Sequence, residues 1–91
     1  MRKYMKELTK QFIQGSIAAY AKTASIRGNV FYSYNTPIAY RKPGTYFYLN
    51  MDKYSATTSG QQNALKEALE SIDANVIIVT EAELETILAW G

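Results

Sequence analysis

Apolar residues recur every three or four positions over residues 3–22, which is the spacing of an amphipathic helix. The predicted apolar stripe comprises Tyr4, Leu8, Phe12, Ile13, Ile17 and Tyr20. Gly15 and Ser16 interrupt the helix-favouring sequence, because glycine in a helix interior costs about 1 kcal/mol relative to alanine. A helix is therefore expected over residues 3–22, with a kink or a break at Gly15.

From residue 30 onward the apolar period changes to two, which is the spacing of a half-buried strand. Three strands are predicted, over residues 30–34, 38–41 and 45–51. Turns at residues 35–37 and 42–44 separate them, and proline followed by glycine in the second turn suits a type II geometry. Because the connections are this short, the three strands are expected to form an antiparallel meander.

Two hydroxyl-led motifs predict helix starts in the second half of the chain. Ser59 with Gln62, and Thr80 with Glu83, have the spacing of a capping box, in which each side chain bonds the backbone N–H of the other residue. The first of these helices is expected to bury Leu65, Ala68, Leu69 and Ile72. Between the two helices, Val76–Val79 is wholly apolar and predicts a short buried strand.

Together these elements predict one α+β domain over residues 1–91. Its order is an N-terminal helix, a three-stranded antiparallel meander, a helix, a short fourth strand and a C-terminal helix. The short hairpins leave a sheet edge, which can recruit a strand from a second copy or from a target protein. Trp90 can either seal the core or anchor a dimer.

The chain has neither histidine nor cysteine. The commonest general base and transition-metal ligand is therefore missing, and no thiolate is available for catalysis, for a disulfide or for a zinc site. The carboxylates are predicted on solvated helix faces, whereas an acid–base or two-metal site needs them to converge in a pocket. A non-enzymatic protein without a cofactor or a metal is expected.

No apolar run approaches the roughly 20 residues that a bilayer-spanning helix needs. The N-terminus begins with basic residues, but no apolar signal core follows them. A cytoplasmic location without membrane association is expected, with the protein either a monomer or a homodimer.

Charge is distributed unevenly along the chain. Residues 1–53 contain nine lysines and arginines against two acids, and residues 54–91 contain one lysine against six acids. One interpretation is a pair of solvated surfaces that attract each other. The other is a basic face for nucleic acid or for an acidic protein, with an acidic face opposite.

Tyrosines are concentrated on the predicted sheet. Tyr46 and Tyr48 alternate with apolar residues on the third strand, and Tyr32 and Tyr34 share one face of the first. Both faces of the first strand carry an aromatic residue, so the sequence leaves open which of them is buried. Cations are expected nearby from Arg27, Arg41, Lys42 and Lys53. Tyrosine packs well on any half-buried sheet, so this pattern also suits a purely structural role.

The functional interpretation is an aromatic platform. Its rings could stack bases at about 1–3 kcal/mol per base while cations contact phosphates. The same residue types are also favoured anchors of protein interfaces. The candidate partner-binding residues on this surface are Tyr32, Tyr34, Tyr46, Tyr48 and Arg41.

Two further sets of side chains are candidates for recognition. Thr57, Thr58 and Ser59 precede the second predicted helix, where hydroxyls and free backbone N–H groups can bind an anion; helix capping alone also explains them. The second set is a predicted acidic helix face that could mimic phosphate towards a protein partner. It comprises Glu67, Glu70, Glu81 and Glu85.

Two motifs, YSYNTPIA at residues 32–39 and YSATTSGQQ at residues 54–62, resemble a family of small proteins of unknown function from phages, plasmids and archaea. In that family a YSYxTxIA strand pair precedes a YSxTTSxxQ helix start, and the resemblance covers residues 29–62. Members often carry a basic residue or a histidine after the serine, where this chain has Gly60 and Gln61. That departure weakens the inference of an anion site.

The resemblance implies that the protein comes from a mobile element. If it is phage-encoded, its expected location is the cytoplasm of the host cell. Small phage proteins without catalytic residues are similar in role to anti-CRISPR proteins. The leading hypothesis is an inhibitor that binds and occludes a host CRISPR-type defence complex. The alternative is direct nucleic-acid binding through the basic, tyrosine-rich sheet and the hydroxyl-rich helix start. A third hypothesis is a purely structural or homodimeric accessory protein.

Overall fold

A computed structural model describes residues 3–15, 18–42 and 46–90, with the side chains of the first helix described from Leu8 onward. The helices are α1 (Lys3–Ile13), α2 (Ala56–Ser71) and α3 (Glu81–Trp90). The strands are β1 (Ala18–Tyr20), β2 (Ala24–Arg27), β3 (Val30–Ser33), β4 (Thr36–Lys42), β5 (Tyr46–Asn50) and β6 (Val76–Val79). No helix within the described ranges is long and apolar enough to cross a membrane.

All six strands belong to one sheet, in the order β1-β2-β3-β4-β5-β6. The first five pair antiparallel with their chain neighbours, and β6 pairs parallel with β5. The parallel pair needs a long connection, and α2 provides it. A register shift in the β3–β4 pair leaves Ile38 as an extra residue, so β4 carries a β-bulge.

The predicted layout, a three-stranded meander with a short fourth strand, is therefore wrong, because the sheet has six strands. The α+β class is right. Residues 18–27, expected as helix and loop, form the β1–β2 hairpin, and β6 extends the same sheet. The break expected at Gly15 is confirmed, since this glycine has φ +100° and its amide bonds the Phe12 carbonyl. Ser16, Ile17 and the turn predicted at residues 43–44 lie outside the described residues.

Helices α1 and α2 lie side by side on one face of the sheet and cover the main core. Phe12 packs edge-on against Phe31, with 5.7 Å between the ring centroids. The larger fully buried apolar side chains of the core are Phe12, Ile26, Phe31, Ile38, Leu49 and Leu65. We call the face beneath α1 and α2 the helix face.

Helix α3 packs across β4 and β5 on the opposite face. Val79 and Leu84 are buried there, outside the main core. The helix begins directly after β6, beside the last residue of β5, and therefore covers only one end of this second face. The rest of the face lacks a covering helix in the described ranges.

Two burial predictions are wrong. Ile72, expected in the buried stripe of α2, is 54% exposed, because the helix ends at Ser71 and the chain turns at Asp73 with φ +55°. Val76–Val79, expected as a buried strand, lies at an edge of the sheet, with Ile77 and Ile78 substantially exposed.

The two predicted helix starts have different outcomes. Helix α2 begins at Ala56 with Ser55 as its N-cap, so the predicted box of Ser59 and Gln62 is wrong. The start of α3 is confirmed: the Thr80 amide donates to Glu83 Oε1 at 2.8 Å, and the Glu83 amide donates to Thr80 Oγ1 at 3.2 Å. Gln62 does not cap α2 because its side chain is engaged by residues that precede the helix.

Gln62 belongs to a buried polar network around Asn50, whose side chain is fully inaccessible to solvent. Gln62 Nε2 donates to the carbonyls of Asn50 and Asp52 at 2.8 and 2.9 Å. Asn50 Nδ2 donates to the Pro37 carbonyl at 3.0 Å and to the Tyr54 hydroxyl at 2.8 Å. Asn50 Oδ1 accepts from the Asp52 amide at 2.9 Å. The network joins β4, β5 and α2.

The same network reaches α3. Asp52 Oδ2 accepts from the Glu81 amide at 2.8 Å, and the Tyr54 hydroxyl donates to Glu81 Oε1. Burial, reinforced by the hydrogen bond to Glu81, raises the pKa of Tyr54 to about 12. Tyr54 is therefore a neutral donor at physiological pH.

Replacing Asn50 by alanine is expected to lower the free energy of unfolding by at least about 2 kcal/mol, because buried partners left without a hydrogen bond cost about 1–3 kcal/mol each. Urea unfolding followed by circular dichroism measures the loss. Asn63→Ala, at an exposed position of α2, is the matched control and should be neutral or slightly stabilising. Equal stability of the two variants would contradict the role given to Asn50.

Alkaline pH is expected to destabilise the protein through Tyr54. Because its pKa is about 12 in the folded chain and about 10 when unfolded, its contribution is complete below pH 10 and is lost as the pH rises towards 12. The free energy of unfolding, measured with urea at about pH 9 and about pH 11, should fall less between these two pH values for Tyr54→Phe than for the wild type. Tyr34→Phe, at an exposed turn, is the control, and its free energy of unfolding should fall as much as that of the wild type.

Candidate functional site

Five tyrosines share the sheet face that α3 covers only in part. Tyr40 and Tyr48 are opposite each other in the β4–β5 register, and Tyr46 lies two residues from Tyr48 on the same side. Tyr32 and Tyr20 both pair with Ser25, which places them on this side as well. We call this surface the tyrosine face; its members are Tyr20, Tyr32, Tyr40, Tyr46 and Tyr48.

The rings of the tyrosine face contact one another. Tyr40 and Tyr48 stack with 6.1 Å between centroids and 4° between planes. Tyr46 meets Tyr48 edge-on at 5.2 Å, and their hydroxyls are hydrogen-bonded at 3.1 Å. The four central tyrosines are half-buried, and Tyr20 at the β1 edge is 78% exposed. The surface is thus held in place before any ligand binds.

Two cations lie on these rings. The Arg27 guanidinium carbon is 3.9 Å from the centroid of the Tyr32 ring, and Lys42 Nζ is 5.8 Å from that of Tyr46. Both distances are in the range of cation–π contacts. Arg27 and Lys42 are therefore positioned at two ends of the tyrosine face.

The hydrogen bond with the Tyr46 hydroxyl, helped by burial, raises the pKa of Tyr48 above its usual value. Tyr48 therefore stays protonated at physiological pH. The charged groups in contact with the rings are Arg27 and Lys42, and both suit an anionic ligand.

The structure brings three of the five sheet candidates together on this surface: Tyr32, Tyr46 and Tyr48. Tyr34 lies in the β3–β4 turn with φ +56° and is 57% exposed, away from the other rings. Arg41 lies on the helix face, where its Nη2 donates to Asn29 Oδ1 at 2.7 Å and to the Gly15 carbonyl at 3.3 Å. Arg41 is a structural tie between the β2–β3 turn and the end of α1.

Tyr20 and Tyr40 are absent from the sequence-based candidates. Tyr20 was hidden because residues 18–20 fit a helical stripe as well as a strand. Tyr40 could have been found, because alternation along β4 places it on the side opposite Arg41. Arg27 and Lys42 are two of the four cations that the sequence predicts near the rings. Lys53 follows β5 and is exposed.

The hydroxyl-rich segment is divided between the surface and the interior. Thr58 is buried, and its hydroxyl bonds Ser33 Oγ at 2.8 Å, while its amide donates to Ser55 Oγ. Thr57 is exposed and Ser59 half-buried, both in the first turn of α2. Anion binding by these three residues stays a prediction. The Thr58 hydroxyl is not available to an anion while it is hydrogen-bonded to Ser33.

The four candidate glutamates lie on two helices. Glu67 and Glu70 are exposed on α2, over the helix face, whereas Glu81 and Glu85 belong to α3 on the other side of the sheet. Glu81 is also engaged by Tyr54. They do not form one continuous acidic face. Occlusion of a host defence complex stays a prediction, to which these residues contribute as separate pairs.

Among the described residues, no three acidic side chains converge in a way that could hold a metal ion. The sequence model of DUF8033, a family of unknown function, matches residues 3–82, and the chain belongs to this family. This confirms the resemblance to a small family of unknown function. Comparisons with curated proteins and with solved structures find no match. The function of the family is unknown, so the anti-CRISPR role stays a prediction.

Arg41→Met is expected to lower the free energy of unfolding by about 1–3 kcal/mol, because it removes two hydrogen bonds from a charged donor. Lys42→Met, at the exposed neighbour, should change stability by less than about 0.5 kcal/mol. Urea unfolding of both variants measures the difference. A larger loss for Lys42→Met would contradict the structural role of Arg41.

Proposed function

We propose that the protein is a non-enzymatic binding module that takes up single-stranded nucleic acid on its tyrosine face. The observation that supports the proposal most is the co-location of five tyrosine rings with Arg27 and Lys42 on a surface not covered by α1 or α2. Rings provide stacking partners for bases, and cations provide contacts for phosphates. A cytoplasmic location is part of this proposal.

Single strands suit this surface better than duplexes. Bases within a duplex are stacked on each other, whereas unpaired bases can be splayed out and stacked on side chains of a sheet. From β2 to β5 the surface extends across four strands, or about 14 Å at the usual strand spacing. A surface of that width accommodates two or three stacked bases.

The acidic residues favour one path across the face. Glu83 and Glu85 lie on α3, which covers the end of this face near Asn50. Phosphates are repelled there and attracted at Arg27 and Lys42. The strand therefore runs from β2 towards β5 through Tyr40 and Tyr48, on the side away from α3.

A fluorescent oligothymidine of about ten nucleotides is the first probe, with a duplex of equal length beside it. Replacing both Tyr40 and Tyr48 by leucine should weaken single-strand binding at least about tenfold, because each lost stacking contact is worth about 1–3 kcal/mol. Leucine preserves the buried apolar area. Tyr34→Leu, at the exposed turn, is the matched control and should bind as the wild type does.

Salt dependence tests the charges separately. With two phosphates neutralised, affinity for a single strand should fall about sevenfold between about 50 and about 200 mM salt. Replacing Arg27 and Lys42 by glutamine should nearly remove that dependence, whereas Lys22→Gln with Lys53→Gln should preserve it. Absence of binding at low salt, or equal loss with the Tyr34→Leu control, would overturn the proposal.

A further inference from the structure

Strand β6 forms one edge of the sheet. The carbonyls of Asn75 and Val79 accept hydrogen bonds from amides of the β5 segment at 2.9 and 3.3 Å. Because successive residues of a strand direct their backbone groups to opposite sides, Val76 and Ile78 direct theirs away from β5. An outer row of backbone donors and acceptors of this kind is a template for another strand.

Strand β6 is short, with four residues, but its side chains give it no protection against pairing. Natural edge strands carry lysine, proline or a bulge, whereas β6 consists of valine and isoleucine in regular parallel register with β5. Ile77 is 43% exposed and Ile78 is 54% exposed, on opposite sides of the sheet. An added strand would therefore gain apolar contacts on both sides as well as backbone hydrogen bonds.

A groove of about 410 Å³ lies between this edge and α3. It is lined by Val79, Ala82, Glu83, Thr86 and Ile87. Its walls are mostly apolar, with the exposed carboxylate of Glu83 among them. A lysine or arginine side chain matches these walls, because its methylene stem packs on apolar groups while its charged head reaches an acid.

Charge identifies the kind of strand. Residues 67–91 contain six acids and neither lysine nor arginine. This range includes the end of α2, all of β6 and all of α3. A second copy paired antiparallel on β6 would bring these same acids together across the interface, which is unfavourable. A basic segment is complementary to them.

We propose that the β6 edge pairs with an extended, basic segment of a protein partner, one of whose lysine or arginine side chains occupies the α3 groove beside Glu83. This site is separate from the tyrosine face: β6 joins the sheet beyond β5, at the opposite edge from β1. The inference does not depend on nucleic-acid binding.

The probe is a displayed library of random peptides of about twelve residues, the length of one strand with its flanks, selected on the full chain. Selected peptides are expected to alternate valine, isoleucine or tyrosine with lysine or arginine. Ile78→Lys should weaken their binding more than about tenfold, because like charges then meet at the interface. Tyr34→Lys, which adds the same charge at the exposed β3–β4 turn away from both surfaces, should bind as the wild type does.

Amide exchange of the unmodified protein gives a second readout that does not depend on the folding of a variant. Bound peptide should slow exchange at the amides of Val76 and Ile78. Selection of peptides without basic residues, retained binding by Ile78→Lys, or protection confined to the tyrosine face would overturn the proposal. A dimer in light scattering that becomes monomeric in Ile78→Lys would also overturn it, since a second copy would then occupy the edge.

Discussion

The structure depends most on one buried amide. Asn50 ends β5 and bonds Pro37 of β4, Tyr54 and the chain at Asp52, while its own carbonyl accepts from Gln62 of α2. Its side chain and its carbonyl thus join one end of the sheet to a helix. Because unpaired polar groups at this depth are costly, the chain after β5 has few alternative courses.

That constraint explains why one face of the sheet is open. Asp52 and Tyr54, held by the Asn50 network, bond the first residue of α3, and α3 therefore starts at the Asn50 end of the sheet. Ten residues of helix starting there reach β4 but not the far end of the tyrosine face. The helix face, by contrast, is closed by α1 and α2. The partial cover of the tyrosine face thus follows from where the Asn50 network anchors α3.

The two proposed surfaces divide the charge of the chain between them. The tyrosine face draws its cations, Arg27 and Lys42, from the basic first part of the sequence. The β6 edge is flanked by elements from the acidic last part. An anionic ligand and a basic peptide would therefore select different sites, because each is repelled by the charge that flanks the other.

Local sequence by itself determined that Val76–Val79 is a strand, that α3 starts at Thr80 and Glu83, and that α1 breaks near Gly15. It also placed Tyr46 and Tyr48 on one face. Spacing, capping and backbone strain act within a few residues, so they can be read locally. Local sequence could not determine that residues 18–27 form a hairpin, since Ala18–Tyr20 fits a helix until Ala19 is paired with Ile26. Nor could it show that Arg41 ties Asn29 to Gly15, or that Gln62 bonds the Asn50 carbonyl and does not form a cap. Those outcomes depend on partners distant in sequence, which only the packed sheet brings together.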